Sequence, residues 1–275
     1  MFDIRKLFRR GASFGAIDSP PRLSVLGLVL SLVVPGFSFF VCGRPLLGCI
    51  FTLSYWVSAF LFAAALGYQV GSIAYGLMIS VHASSIFFVE AQWLHGSRFR
   101  TRLGLALCTL FAVWALIYAP ALNFTERNWL LPMRIGNRVL VIRRGVQPET
   151  LRRGEWIAYE IRGGSNRGTG EARLYVSAGL GVDPILGLPG DHIRFTRKVV
   201  LANGQPFPLQ PHMPTQGEWS VPQKVWFVWP SLAINWRGGV PESDIVATME
   251  SIAAVGPDRM IGRAFKHWFW RQQWP

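Results

Sequence analysis

Residues 45–94 are fifty consecutive positions with no Asp, Lys or Arg, one Glu (Glu90) and one His (His82). A bilayer crossing takes about 20 predominantly apolar residues. The run therefore fits two spans, near 46–66 and 71–92, with a tight turn at Gly67-Tyr68-Gln69. A further apolar stretch over 103–122 makes another span. Segment 23–43 is equally apolar, but Pro35-Gly36 interrupts it. From Asn123 onward the chain reads like a water-soluble, β-rich protein. The sequence thus divides into a basic N-terminus (1–22), a membrane α-helical half (23–122) and a mainly-β half (123–275). Composition agrees: the 275 residues are 51% hydrophobic and 16% charged, too apolar for an ordinary soluble enzyme.

The net charge of +13 comes largely from Arg residues that flank apolar segments, at 5–10, 22, 44 and 98–102. Such residues set topology and meet anionic lipid, so the lipid bilayer, and no nucleic acid, is the expected partner. Suppose segment 23–43 crossed fully. With the N-terminus inside, Arg98, Arg100 and Arg102 would then face outside, against the positive-inside rule. If Pro35-Gly36 instead turns the segment back, every Arg cluster before 103 is cytoplasmic and residues 123–275 are exported. One re-entrant hairpin near 23–43 plus three spans is therefore expected. The start MFDIRKLFRR is basic, with no small-residue cleavage site after it, and reads as a cytoplasmic terminus rather than a removable leader.

PGFSFFVCGRPLLG (35–48) resembles a small bacterial membrane module of pattern Pro-Gly-x-Gly-x-x-x-x-Gly-x-x-x-x-Gly, with Ser38 at the second Gly. Ser80, His82, Ser84, Ser85 and Glu90 are polar residues within a span. His82 and Glu90 are expected to lie near the cytoplasmic end, to snorkel, or to satisfy one another between helices.

In the second half, NRVLVIRRG (137–145), EWIAYEIRGG (155–164), ARLYVSAG (172–179), KVWFVWP (224–230) and MIGRAFKHWFW (260–270) read as strands. HIRFTRKVVLANGQPFPL (192–209) reads as a hairpin turned at Asn203-Gly204. PILGLPGDHIRF (184–195) reads as strand, sharp turn, strand. Many short strands and little helix predict a small β-barrel-like or sandwich domain. Trp226 and Trp229 fit a core or an interfacial belt, and Trp268, Trp270 and Trp274 fit the belt. The three cysteines all lie in apolar segments, which leaves the β half without a thiol nucleophile. His192, His212 and His267 are scattered without metal-ligand spacing. GGSNRGTG (163–170) lacks the Gly-Lys-Ser/Thr of a phosphate loop and fits a hairpin turn. No metal or cofactor is expected.

Three ordered pieces resemble the type I signal peptidases, membrane-anchored β-fold serine proteases that cut signal peptides on the exported side. GNRVLVIRRG (136–145) is similar to the family's Gly-Asp-x-Val-Leu-Val strand, and LRRGEWIAYEI (151–161) to its following Arg-Gly-Asp strand. ILGLPGDHI (185–193) matches the Gly-Leu-Pro-Gly-Asp turn, followed by the Asn-Gly-x-Pro hairpin at 203–206. VGPDRMIGRAF (255–265) is similar to the closing Val-Pro-x-x-x-Ile-x-Gly-Arg-Ala. The resemblance covers about 128–265. It implies the signal peptidase I β-fold for 123–275, on the exported face of a bacterial-type inner membrane.

The family works through a Ser–Lys dyad, in which burial on an apolar wall keeps the lysine neutral enough to act as a base. The family serine position, eight residues before the Gly of the first piece, is Asn128 here. The lysine position, four residues before Gly187, is Asp183. No serine lies between Ser97 and Ser165, and no lysine between Lys6 and Lys198. Thr125 is three residues too early, and WPSLAINW (229–236) stands where the family has Ser-x-Asp-Ser-Arg.

The departures remove the standard chemistry and leave the groove, with Asn128, Leu131 and Asp183 at the positions of the family active site. A non-catalytic protein that binds extended peptides or other membrane proteins by strand addition is the first expectation. A peptidase with relocated residues (Ser177 or Ser231 with Lys198, Lys224 or Lys266) and a structural subunit of a membrane complex are the alternatives. The topology is directly testable. Protease added to intact spheroplasts is expected to digest residues 123–275, and a protected domain rejects the exported orientation.

Overall fold

The computed structural model describes residues 25–93, 98–167, 173–231, 235–237 and 241–274, so the basic N-terminus lies outside the described residues. The chain forms two compact units. One comprises Met1–Ala65 and Gln69–Pro120, the other Leu66–Tyr68 and Ala121–Pro275.

The first unit is helical: α1 (Val25–Val33), α2 (Phe37–Val41), α3 (Pro45–Ala64), α4 (Gln69–Trp93) and α5 (Phe99–Val113). A π-turn over Trp114–Tyr118 joins α5 to α6 (Ala119–Asn128), which continues into the second unit. Pro120 cannot donate to the carbonyl four residues back, and the wider turn ahead of it absorbs that loss without ending the helix. Three helical stretches are long and apolar enough to cross a membrane: Pro45–Ala64, Gln69–Ala91 and Phe99–Asn128. On α3, Leu46, Ile50, Leu53, Val57 and Phe60 are all exposed, an apolar outer face suited to lipid rather than water.

Helix α2, of five residues, is too short to cross, and α1 is described over nine residues. The break between them falls at Pro35-Gly36, where the sequence marks it. Backbone groups freed there need partners, because lipid offers none. Side chains from α3 and α4 supply them. Thr52 Oγ1 donates to Pro35 O (3.0 Å), and the Gly36 N–H donates to Ser85 Oγ (2.9 Å). Ser38 Oγ donates to Ser85 O (2.6 Å) and lies 2.7 Å from Ser85 Oγ. His82 Nε2 donates to Leu32 O (2.9 Å), and its Nδ1 lies 2.8 Å from the Tyr118 hydroxyl. Of the alternatives expected for His82 and Glu90, mutual pairing is not the one formed. His82 is buried and occupied by the break, while Glu90 accepts from Thr109 Oγ1 (2.6 Å).

The second unit is mainly β. Its strands are β1 (Leu130–Ile135), β2 (Arg138–Arg144), β3 (Trp156–Ile161), β4 (Gly164–Arg167), β5 (Arg173–Val176), β6 (Gly179–Gly187), β7 (His192–Phe195) and β8 (Val199–Ala202). Then come β9 (Gln205–Pro208), β10 (Gly217–Ser220), β11 (Trp226–Val228), β12 (Asn235–Arg237), helix α7 (Glu242–Ala253), β13 (Ala254–Val255), β14 (Met260–Ala264), β15 (His267–Trp268) and β16 (Arg271–Gln272).

A seven-stranded antiparallel sheet runs β1-β2-β14-β3-β6-β11-β13. Smaller sheets run β10-β7-β8-β9 and β12-β5-β4, and β15-β16 is a hairpin. The Asn203-Gly204 turn forms as read, with Ala202 opposite Gln205 and both turn residues at positive φ. The segment 192–209 nonetheless holds three strands rather than two, and GGSNRGTG contributes a strand, β4, while the turn expected after it lies outside the described residues. Trp226 and Trp229 are core residues (5% and 0% exposed), and Trp229 Nε1 donates to Pro211 O. Helix α7 was not among the expected elements, which were strands with little helix. Its Ile245, Met249 and Ala253 recur every four residues and pack beside Phe227 and Trp229.

Ser85→Ala is expected to destabilise the membrane unit by about 1–3 kcal/mol, because it strands the buried Gly36 N–H, while Ser38 Oγ keeps the backbone carbonyl of residue 85. Gly36→Ala should cost more, since φ there is +87° and an added Cβ would sit 2.6 Å from Thr52 Oγ1. Thermal unfolding of the purified protein in detergent measures both, and an unchanged melting temperature rejects the role given to Ser85.

Candidate functional site

The turn Gly187–Asp191 links β6 to β7. Gly190, at φ +85°, takes the left-handed conformation that the turn requires. Asp191 holds it. Its Oδ2 accepts from the Leu188 N–H (2.6 Å) and from Arg153 Nη2 (2.6 Å), and its Oδ1 accepts from Asn203 Nδ2 (2.6 Å). Asn203 Oδ1 in turn accepts from the His192 N–H, and Arg153 Nη1 reaches Ala202 O and Gln205 Oε1. One largely buried carboxylate thus binds the β3 approach, the β6–β7 turn and the β8–β9 hairpin together.

Glu155, two residues after Arg153, pairs with Arg263 on β14 at 3.2 Å. The stretches Arg153-Gly154-Glu155, Gly187–Asp191, Asn203-Gly204 and Gly262-Arg263-Ala264 are therefore joined to one another. Their role in the structure is to fix the strand arrangement.

Position 183 lies on β6. Asp183 is 3% exposed and faces Ile157 and Tyr159 of β3, within the cluster that includes Ile185 and Val228. Its Oδ2 accepts from the Tyr159 hydroxyl (3.0 Å) and its Oδ1 from the Ser231 N–H (3.2 Å). Burial pushes its pKa above the ordinary carboxylate range, against the opposing pull of the Ser231 and Tyr159 hydrogen bonds. Burial and the adjacent carboxylate push the Tyr159 phenol up as well.

The other two positions are not gathered around Asp183. Asn128 ends α6, exposed, with its Nδ2 donating to Phe124 O (2.8 Å). Leu131 lies on β1 opposite Ile142 and packs with Leu140, Ala158, Val182 and Ala264. Val182 and Asp183 are adjacent along β6 and so point to opposite faces of the sheet. Leu131 therefore shares the face away from Asp183.

The relocated candidates fare as follows. Lys198, Lys224 and Lys266 are all exposed, without the apolar wall that a neutral lysine requires, and Ser177 is exposed on a connecting segment. Ser231 is the one nominated hydroxyl that the fold brings to a candidate acid–base group, Asp183. Thr125 turns back onto Ala121 O. The signal for the Asp183–Tyr159–Ser231 group was a charged residue inside an otherwise apolar strand. Its partners, 24 and 48 residues away, have no sequence mark.

Strand β1 is a terminal strand of the large sheet. The Arg144 N–H donates to Trp129 O, and alternation from that pair directs the backbone groups of Leu130, Pro132 and Arg134 away from β2. Phe124 and Trp129 stand exposed beside this edge with their rings 5.4 Å apart.

Compared with known proteins, the chain matches no family model and no curated sequence.

Asp183 fixes a pH dependence. Its folded pKa lies above its unfolded one, so the folded state holds a proton that the unfolded state releases. That contribution to stability is full below the unfolded carboxylate pKa, near 3.9, and is lost as pH rises through the raised folded value. Asp183→Asn, which cannot ionise, is expected to flatten this slope. Tryptophan-monitored melting of both proteins from pH 4 to pH 8 tests it, and parallel profiles reject an ionising Asp183.

Proposed function

We propose that the protein is a membrane-anchored, signal-peptidase-like binding protein that lacks the dyad and receives an extended, apolar peptide at the β1 edge. The domain is taken to lie on the exported side of a bacterial-type inner membrane, with segment 23–43 re-entering rather than crossing. The observation that carries this reading is the state of position 183. A buried carboxyl that accepts from Tyr159 and Ser231 stands where the family places its base, on the sheet face away from Leu131. Such a group, driven toward its protonated form, is a poor partner for a serine nucleophile, and Asn128 offers none.

What supports binding is the β1 edge. Backbone donors and acceptors at Leu130 and Arg134 can extend the sheet onto a peptide, and the Phe124–Trp129 pair offers an apolar surface beside it. Pro132, at an outward position and without an N–H, limits indiscriminate strand pairing.

The second reading is hydrolysis from Ser231 with Asp183 as its base, favoured by the contact between those two residues alone. The full chain, incubated with a signal-peptide reporter, is expected to bind it without turnover. Arg134→Pro, which deletes an outward donor and leaves the β1–β2 ladder intact, should weaken binding by about tenfold. Turnover abolished by Ser231→Ala overturns the non-catalytic reading, and binding unaffected by Arg134→Pro overturns the β1 edge.

A further inference from the structure

The C-terminal hairpin and the start of β2 enclose a cavity of about 590 Å³ lined by Tyr68, Arg138, Val139 and residues 271–274. All of these residues belong to the β unit. Four nitrogen donors on the lining residues are buried and hydrogen-bond to nothing: Arg271 Nε and Nη2, Gln273 Nε2 and Trp274 Nε1. The orientation of the Gln273 amide is fixed, because its Oε1 accepts from the Val141 N–H (2.9 Å), which leaves Nε2 as the unpartnered end of a side chain only 4% exposed. The Arg271 guanidinium lies over the Tyr68 ring, 4.6 Å from its centre, and so has a π face but, among the described residues, no counter-charge. Arg138 adds a second cation, and no Asp or Glu is among the described residues that line the cavity.

Buried donors without acceptors are rare and call for an explanation. We infer that this cavity binds a phosphate group, and that its source is the headgroup of an anionic phospholipid. Several unpartnered donors with two guanidinium groups and no described carboxylate select an anion with many oxygens, which fits phosphate better than a neutral ligand. The place in the chain selects the source. Tyr68 immediately precedes α4, a helix long and apolar enough to cross a bilayer, so the cavity wall is tied to the end of that helix, where headgroups lie. Phe269 and Trp270, exposed at the tip of the same hairpin, are the residue types that settle at the lipid–water boundary. The belt expected of the C-terminal tryptophans is thus divided. Trp270 points outward, whereas Trp274 packs against the Leu140–Ile142 cluster and lines the cavity.

The test uses the full chain in a neutral detergent, titrated with dioleoyl phosphatidylglycerol, dioleoyl phosphatidylcholine or inorganic phosphate, with bound lipid counted by native mass spectrometry and tryptophan emission followed in parallel. The wild type is expected to retain phosphatidylglycerol about tenfold more tightly than phosphatidylcholine, and Arg138→Gln and Arg271→Gln should each lose about tenfold. Arg138 is exposed, so its variant leaves the core untouched, and Arg271→Lys should recover part of the affinity. Inorganic phosphate that displaces the lipid supports phosphate as the recognised group. Inorganic phosphate that binds where phosphatidylglycerol does not overturns the lipid source. Equal retention by the wild type and Arg138→Gln, or no preference for the anionic lipid, overturns the site.

Discussion

The β unit depends on the carboxylate of Asp191. It is one of few charges the unit buries, and its two oxygens gather an arginine, a backbone N–H and an asparagine from three separate segments. A buried ion pair of this kind adds little net stability, since desolvation offsets the attraction. It does make the arrangement specific. If Asp191 or Arg153 is removed, the other is left charged in a poorly solvated place, and every strand end that meets there loses its reference point. The Glu155–Arg263 pair extends the same constraint to β14, which lies between β2 and β3 in the large sheet.

The helical unit meets a different constraint with the same economy of residues. A broken helix in an apolar setting exposes carbonyl and N–H groups that only protein can satisfy. Thr52, His82 and Ser85 each take one such group at the Pro35-Gly36 break. Ser38 completes the set through the Ser85 carbonyl. Ser38, Thr52, His82 and Ser85 are thus accounted for by backbone geometry, and Glu90 by Thr109.

Much of this was legible in the sequence. The three long apolar helices, the break at Pro35-Gly36, the Asn203-Gly204 turn and most strands follow from hydropathy length, alternation and turn chemistry, all of which are local. Helix α7 was missed because Pro241 and the polar Glu242-Ser243-Asp244 obscure a short stripe that only becomes apolar against Phe227 and Trp229. The last long helix runs on past the expected end at 122 to Asn128, because Asn123, Thr125, Glu126 and Arg127 end the apolar run without ending the helix. Asn128, Leu131 and Asp183 were placed together by their spacing along the chain. Which side of a sheet a residue faces depends on its parity within the strand and on the register of every strand between, and chain spacing carries neither.

Position 183 shows what an apolar wall does to an ionisable side chain. Ile157, Tyr159 and Ile185 form an apolar wall there, and desolvation disfavours whichever form of the resident side chain is charged. For a lysine that means a neutral amine, which can accept a proton. For Asp183 it means a carboxyl that holds its proton to higher pH than an ordinary carboxylate does, against the pull of the Tyr159 and Ser231 hydrogen bonds. The same wall therefore makes an amine the better base and a carboxylate the harder one to form. A base could be regained by substitution at 183 alone. A nucleophile at 128 would still sit on the exposed end of α6, held by the Phe124 carbonyl, so the distance between the two positions is set by the helix end and not by either side chain. Chemistry of the dyad kind would require α6 to end earlier and β1 to begin sooner, a change of backbone rather than of residue.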